Sequence, residues 1–188
     1  MNPGKNRPFR FETHQWVPFP VDQVFAFFAD PRNLPRLMPP ELQTRIDEAR
    51  LRPAPALPQA MRPGGSSGGD AADVGSEILI SFRPVPWLPL RVRWRARITE
   101  FDWNSHFKDE QVQGPFAVFS HRHGTLAEMR NGQAGTLVSD EIDYALPFGL
   151  MGRIVSPLVR FQLQRSFAQR QKRLPEMLAA AKQSVREP

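Results

Sequence analysis

Apolar and polar residues alternate strictly at the start of the chain. In RPFRFETHQWV (7–17), Phe9, Phe11, Thr13 and Gln15 fall on one side, and Arg10, Glu12, His14 and Trp16 on the other. That period of two predicts a strand. The period then changes. Val21, Val24, Phe25 and Phe28 recur at helical spacing, with Asp22 in the first turn where its charge complements the helix dipole. Pro31 halts that helix, and Asn33 to Met38 predict a second short one. Glu41 to Leu51 can return as a strand. Residues 52–75, RPAPALPQAMRPGGSSGGDAADVG, hold neither period and are rich in Pro, Gly, Ser and Ala. They predict a flexible insertion that splits a hairpin, not a boundary between domains.

From Ser76 the pattern is strand for most of the next seventy positions. SEILISF points Ile78, Ile80 and Phe82 inward. In RVRWRARITEF (91–101), Val92, Trp94, Ala96 and Ile98 face one way, and Arg91, Arg93, Arg95 and Arg97 the other. HFKDEQVQ, FAVFSHRHGTLAEM and GTLVSDEIDYALPF follow, separated by Gly114-Pro115 and by RNGQAG. After LPFGLMG the helical period returns and holds. Val159, Leu163, Phe167, Leu174, Leu178 and Ala181 make one stripe, and Pro157 suits a helix start or a kink. The predicted class is α+β: about seven antiparallel strands, two short helices after the first, and a long C-terminal helix covering the dry face of the sheet. A curved sheet gripping one helix encloses a cavity between them.

That order resembles the helix-grip, START-like fold of the SRPBCC (START/polyketide-cyclase-like) superfamily. VPFPVDQVFAFFADPRNLPRLMPP is similar to the superfamily's opening strand-to-helix segment, and DEQVQGPFAVFSHRH with DEIDYALPFG to a bacterial, mostly uncharacterised ligand-binding branch of it. The resemblance spans nearly the whole chain outside 52–75. It implies a hydrophobic small-molecule ligand, such as a lipid, an isoprenoid quinone or a polyketide-like compound, without fixing an activity.

Composition narrows the chemistry. At 188 residues the chain fits a single domain, 1–188, with 52–75 inserted in it. Without cysteine there are no disulfides, thiol nucleophiles or Cys-based metal sites. No apolar run reaches the length of a membrane span and the N-terminus lacks an apolar leader core, which reads as a cytoplasmic protein. The net charge of +6 permits weak contact with an acidic membrane surface. The arginines of 91–97 do not make a nucleic-acid stripe, because Trp94 alternates onto the opposite face and leaves them no stacking aromatic.

The candidate site gathers on the last three strands and the final helix. His121 and His123 share one face of a strand, about 7 Å apart at Cα. Such a pair can give two zinc ligands, with Asp109, Glu110, Asp140, Glu141 or Asp143 nearby as a third, or can line a polar pocket. The sequence assigns no metal and no cofactor. Arg170 interrupts the apolar stripe between Phe167 and Leu174, so it must find an acceptor in the sheet or on a ligand. Tyr144, the single tyrosine, shares a face with Asp140 and Ile142. The expected lining is therefore Phe107, Phe119, Ile142, Leu163 and Phe167 as walls, with Asp109, His121, His123, Asp140, Tyr144 and Arg170 as the polar groups. Binding or carriage of a hydrophobic molecule is the first expectation. A cyclase or dehydratase using a cavity histidine with an acidic partner is the second, and a regulatory interaction module the third.

Overall fold

The alternating segments form one seven-stranded antiparallel sheet in the computed structural model, which describes residues 8–55, 71–85, 87–147 and 149–184. The strands are β1 (Phe9–Val17), β2 (Arg45–Arg50), β3 (Glu77–Phe82), β4 (Val92–Asp102), β5 (His106–Gln113), β6 (Val118–Arg130) and β7 (Gln133–Ala145). Their spatial order is β1-β7-β6-β5-β4-β3-β2, so every neighbouring pair except β1–β7 is also consecutive in sequence. Between β1 and β2 lie α1 (Val21–Ala29), α2 (Leu34–Leu37) and two single turns of tighter helix, and α3 (Leu150–Ser184) closes the chain. The longest ladder, β6–β7, turns on Asn131 and Gly132, both at positive φ (50° and 76°). That is the twist-matched turn an Asn-Gly pair favours. Register shifts in the β2–β3 and β4–β5 pairings bend the sheet around α3.

The predicted strand 41–51 is shorter than its pattern. Pro40–Leu42 makes a helical turn that ends at Gln43, whose φ of 46° breaks the extended run before β2. The insertion divides in two. Residues 56–70 lie outside the described residues, but the flanks 52–55 and 71–75 are built into the core. Ala54, Ala71 and Ala72 are buried, Pro53 pairs with Ala72, and Ala72 N–H donates to the Ala29 carbonyl at the end of α1. Small side chains that read as flexible linker are small because they pack under α1.

α3 runs unbroken through Pro157 and Pro175. Pro175 has no N–H to give the carbonyl of Gln171 one turn back. The side chain of Gln15 on β1 fills that role, donating to Gln171 O at 2.7 Å, while Gln171 Nε2 donates to Thr13 Oγ1 at 2.8 Å. This reciprocal pair fixes the helix to an edge strand. Leu174 and Leu178 are fully buried against Val17, Val24 and Val138, each contributing about 1.5–3 kcal/mol by burial. Ala181, expected on the same stripe, is exposed, because the stripe leaves the sheet after Leu178. On the outer face the arginines of β4 and its lead-in meet partners: Arg95 pairs with Glu48 at 3.1 Å, Arg97 with Glu77, and Arg91, just before β4, donates to the Gln43 carbonyl at 2.8 Å.

Candidate functional site

Curvature and the single covering helix leave a cavity of about 460 Å³ between the inner face of the sheet and α3. Most of its wall is apolar: Ile78, Ile80, Trp94 and Ile98 from β3 and β4, Phe119 from β6, and Val159, Leu163 and Phe167 from α3. Leu34, Leu37 and Met38 reach it from the α2 segment. Asp109, His121, His123 and Arg170 meet on the same lining and make its most polar region.

Strand register explains the meeting. His121 is paired with Asp109 on β5 and with Ile142 on β7; His123 is paired with Phe107 and with Asp140. Since alternate residues face one side, all six point inward. Each histidine thus has a carboxylate directly beside it and another one pair away. Nε2 of His121 lies 3.1 Å from Asp140 Oδ1 and Nδ1 of His123 lies 2.8 Å from the same oxygen. Arg170 reaches down from α3 to that oxygen at 3.2 Å. Asp109 Oδ2 stands on the other side of the rings, 3.8 Å from His121 Nδ1 and 3.6 Å from His123 Nε2. The break in the apolar stripe at Arg170 is therefore a buried ion pair with Asp140.

Aromatic rings hold the cluster in place. Phe107 stacks on His123 with centroids 4.4 Å apart, and the Arg170 guanidinium lies over Phe28 at 4.6 Å and Phe167 at 5.2 Å. Burial pushes the His121 pKa below the usual imidazole value, and the neighbouring His123 adds to that, against the bond to Asp140. Burial acts on His123 as well, but Asp109 and Asp140 outweigh it and raise its pKa. Burial opposes charge on Asp140 too, and Arg170 with the two histidines overcomes it, holding the carboxyl well below the ordinary carboxylate range. A neutral imidazole beside a more basic one, over an ionised carboxylate, can accept or donate a proton and can hold an oxygen of a ligand.

Of the residues singled out in the sequence, Phe107, Asp109, Phe119, His121, His123, Ile142, Leu163, Phe167 and Arg170 lie on the cavity. Asp140 and Tyr144 do not. Asp140 sits behind the two histidines, shielded by them and by Arg170. Tyr144 is fully buried near the end of β7, where Phe9 and Phe116 close over it at 5.6 and 6.0 Å between centroids, and burial raises its phenol pKa. Both share the inward face of β7, but that face extends beyond the cavity. Sequence reasoning missed three polar contributors. Gln162 and Ser166 lie on the cavity, as does Trp94, whose buried Nε1 has no hydrogen-bond partner among the described residues. Ser166 and Gln162 carried a signal, being one and two turns of helix from Arg170 on its own side.

Residues 17–169 match the family model described as "Polyketide cyclase / dehydrase and lipid transport". No curated protein matches the chain in sequence. Among solved structures, norcoclaurine synthase from Thalictrum flavum, a point mutant in complex with a transition-state analogue, superposes with a TM-score of 0.60 at 13% identity, covering 94% of this chain and 98% of that one. A START superfamily protein from Mycobacterium smegmatis gives 0.60 at 13% identity over 92% and 98% of the two chains. A protein from Thermus thermophilus gives 0.59 at 19% identity over 92% and 99%. At these identities the likeness is one of fold.

Proposed function

Because the chain belongs to the polyketide cyclase / dehydrase and lipid transport family, we propose that it binds or carries a hydrophobic small molecule, with an oxygen-bearing group at the Asp109–His121–His123–Arg170 end and an apolar body along β3, β4 and α3. The observation that carries this reading is the cavity itself, an apolar space of about 460 Å³ with its charged groups gathered in one region. Arg170 Nη2 and the neutral face of His121 offer a donor and an acceptor to a carbonyl, carboxylate or hydroxyl, and Trp94 adds an unpaired donor.

The way in is at one end of the sheet. Antiparallel order brings the β3–β4 loop, the β5–β6 loop and the start of α3 together there. Trp87 is 83% exposed, and Leu88, Leu90, Met151, Ile154, Leu158 and Phe161 are exposed with it. The three segments 83–91, 112–119 and 145–161 include Arg83, Arg91, Arg153 and Arg160 and no acidic residue. Exposed apolar side chains on segments that carry arginine and no acid suit an acidic membrane surface, from which a hydrophobic ligand would be drawn. No helix among the described residues is long and apolar enough to cross a membrane.

Native mass spectrometry of the protein purified from its own host tests the reading. One co-purifying hydrophobic species per chain is expected, lost on replacing Leu163 with Trp, while the folded far-UV signature stays. If no species co-purifies and fatty acids, isoprenoid quinones and polycyclic aromatic ketones all fail to quench tryptophan fluorescence saturably, the cavity is not a binding site. A second reading rests on the lowered His121 pKa beside Asp140: proton transfer to or from the bound molecule. It requires His121→Gln to stop conversion of the recovered species while leaving its affinity intact.

A further inference from the structure

The histidine pair is arranged in a way that binding an organic ligand does not require. One oxygen, Asp140 Oδ1, lies within 3.1 Å of a ring nitrogen from each histidine, Nε2 of His121 and Nδ1 of His123. Each ring therefore turns its other nitrogen toward Asp109, whose Oδ2 is 3.8 and 3.6 Å away. Those separations are too long for hydrogen bonds. They are close to the spacing of donor atoms around a metal: bonds of about 2.0–2.2 Å in tetrahedral geometry set ligand atoms roughly 3.4 Å apart. His121 Nδ1, His123 Nε2 and Asp109 Oδ2 all lie within 4.8 Å of one another. All three residues line the cavity.

The surroundings match as well. A metal-binding histidine ordinarily gives its outer N–H to a carboxylate, which fixes its tautomer and turns its lone pair to the ion. Here one buried carboxylate is placed to serve both rings, and Arg170 holds that carboxylate at 3.2 Å.

We propose that Asp109, His121 and His123 form a three-ligand site for a divalent transition-metal ion, with Asp140 positioning both histidines and the remaining coordination position open to the cavity. Two imidazoles and one carboxylate suit zinc and its first-row neighbours better than magnesium or calcium, which take oxygen ligands. The open position would take an oxygen of the bound molecule, which narrows the ligand to one carrying a carbonyl, carboxylate or hydroxyl group. This deepens the cavity reading, yet metal binding can be measured with no organic ligand present. The sequence left the third ligand among five acidic residues; the β5–β6 register selects Asp109, directly opposite His121.

The test is titration of the full chain, stripped with chelator, with Co²⁺ and then Zn²⁺, followed by calorimetry and visible absorption. The expected result is one equivalent per chain, with cobalt ligand-field bands that zinc displaces. Asp109→Asn, which keeps shape, and His123→Gln should each lower affinity at least a hundredfold. Asp140→Asn should lower it about ten- to a hundredfold, as loss of an orienting carboxylate does. His14→Gln and His106→Gln should change nothing, and near-UV circular dichroism shows that each variant is folded. Absence of stoichiometric cobalt binding by the wild type overturns the proposal, as does undiminished binding by folded Asp109→Asn. Uptake of hydrophobic probes by the chelator-stripped protein judges the cavity reading separately.

Discussion

Arg170 shows how far one side chain can be read from its place in a pattern. A guanidinium on an apolar stripe demands an acceptor, and the partner is Asp140, both side chains being nearly buried (12% and 7% exposed). Replacing Arg170 with Met keeps the length and removes the charge, leaving Asp140 to the histidines alone. Denaturant unfolding should show a loss of about 3 kcal/mol, the low end for breaking a buried pair, because the imidazoles remain to compensate. An unchanged midpoint would mean the pair contributes nothing net. The residues misread at this scale share a cause. Alternation gives the face of Asp140 and Tyr144, but not whether that point of the strand lies over open space or under other side chains. Trp94 was passed over for the opposite reason: it obeys the alternation, so nothing marks it out from an ordinary core residue until its unpaired Nε1 is located.

Among elements, the strands and helices were legible because the hydrophobic period switches sharply from two to 3.6 and back. What was hidden lay where local composition and tertiary packing disagree. Ala54, Ala71 and Ala72 look like linker and are core. Gln15 looks like one more polar residue on a half-buried strand. It is instead the acceptor's replacement donor where Pro175 breaks the α3 ladder, a contact across 156 positions of sequence. Replacing Gln15 with Leu keeps its bulk and strands the Gln171 carbonyl. The expected cost is about 1–2 kcal/mol, that of an unsatisfied backbone group. Urea unfolding of Gln15→Leu against wild type measures it, and an unshifted midpoint would show that water serves the carbonyl equally well.

Across the whole molecule, the antiparallel strands and the gripped helix were legible in the sequence, since about seven strands with one dry face need one amphipathic helix to cover it, while the pairing of β1 with β7 came from the structure. The cavity's polar region was legible as a cluster of residue types, while its geometry needed the register. The proposed mouth draws its exposed apolar groups from segments far apart in the chain, so no local window shows it. Co-sedimentation should find the protein on phosphatidylglycerol vesicles and much less on phosphatidylcholine. Trp87→Ala combined with Leu158→Asn should weaken the association at least tenfold without shifting the unfolding midpoint. Equal binding by that variant would move the contact elsewhere.

The unequal hold on α3 has a consequence in time. Its C-terminal half is tied to β1 by Gln15 and Gln171 and buried through Leu174 and Leu178, while the half that carries Pro157 leaves Met151, Ile154, Leu158 and Phe161 exposed. Pro157 offers no N–H to the carbonyl of Arg153, so the ladder misses a bond in that half. Backbone amides of 151–162 should exchange with deuterium through local opening, orders of magnitude faster than those of 166–178, which should await global unfolding. One helix would then serve both as a slow beam and as a fast door, and the rate at which molecules enter the cavity would be set by its first three turns and not by the stability of the fold.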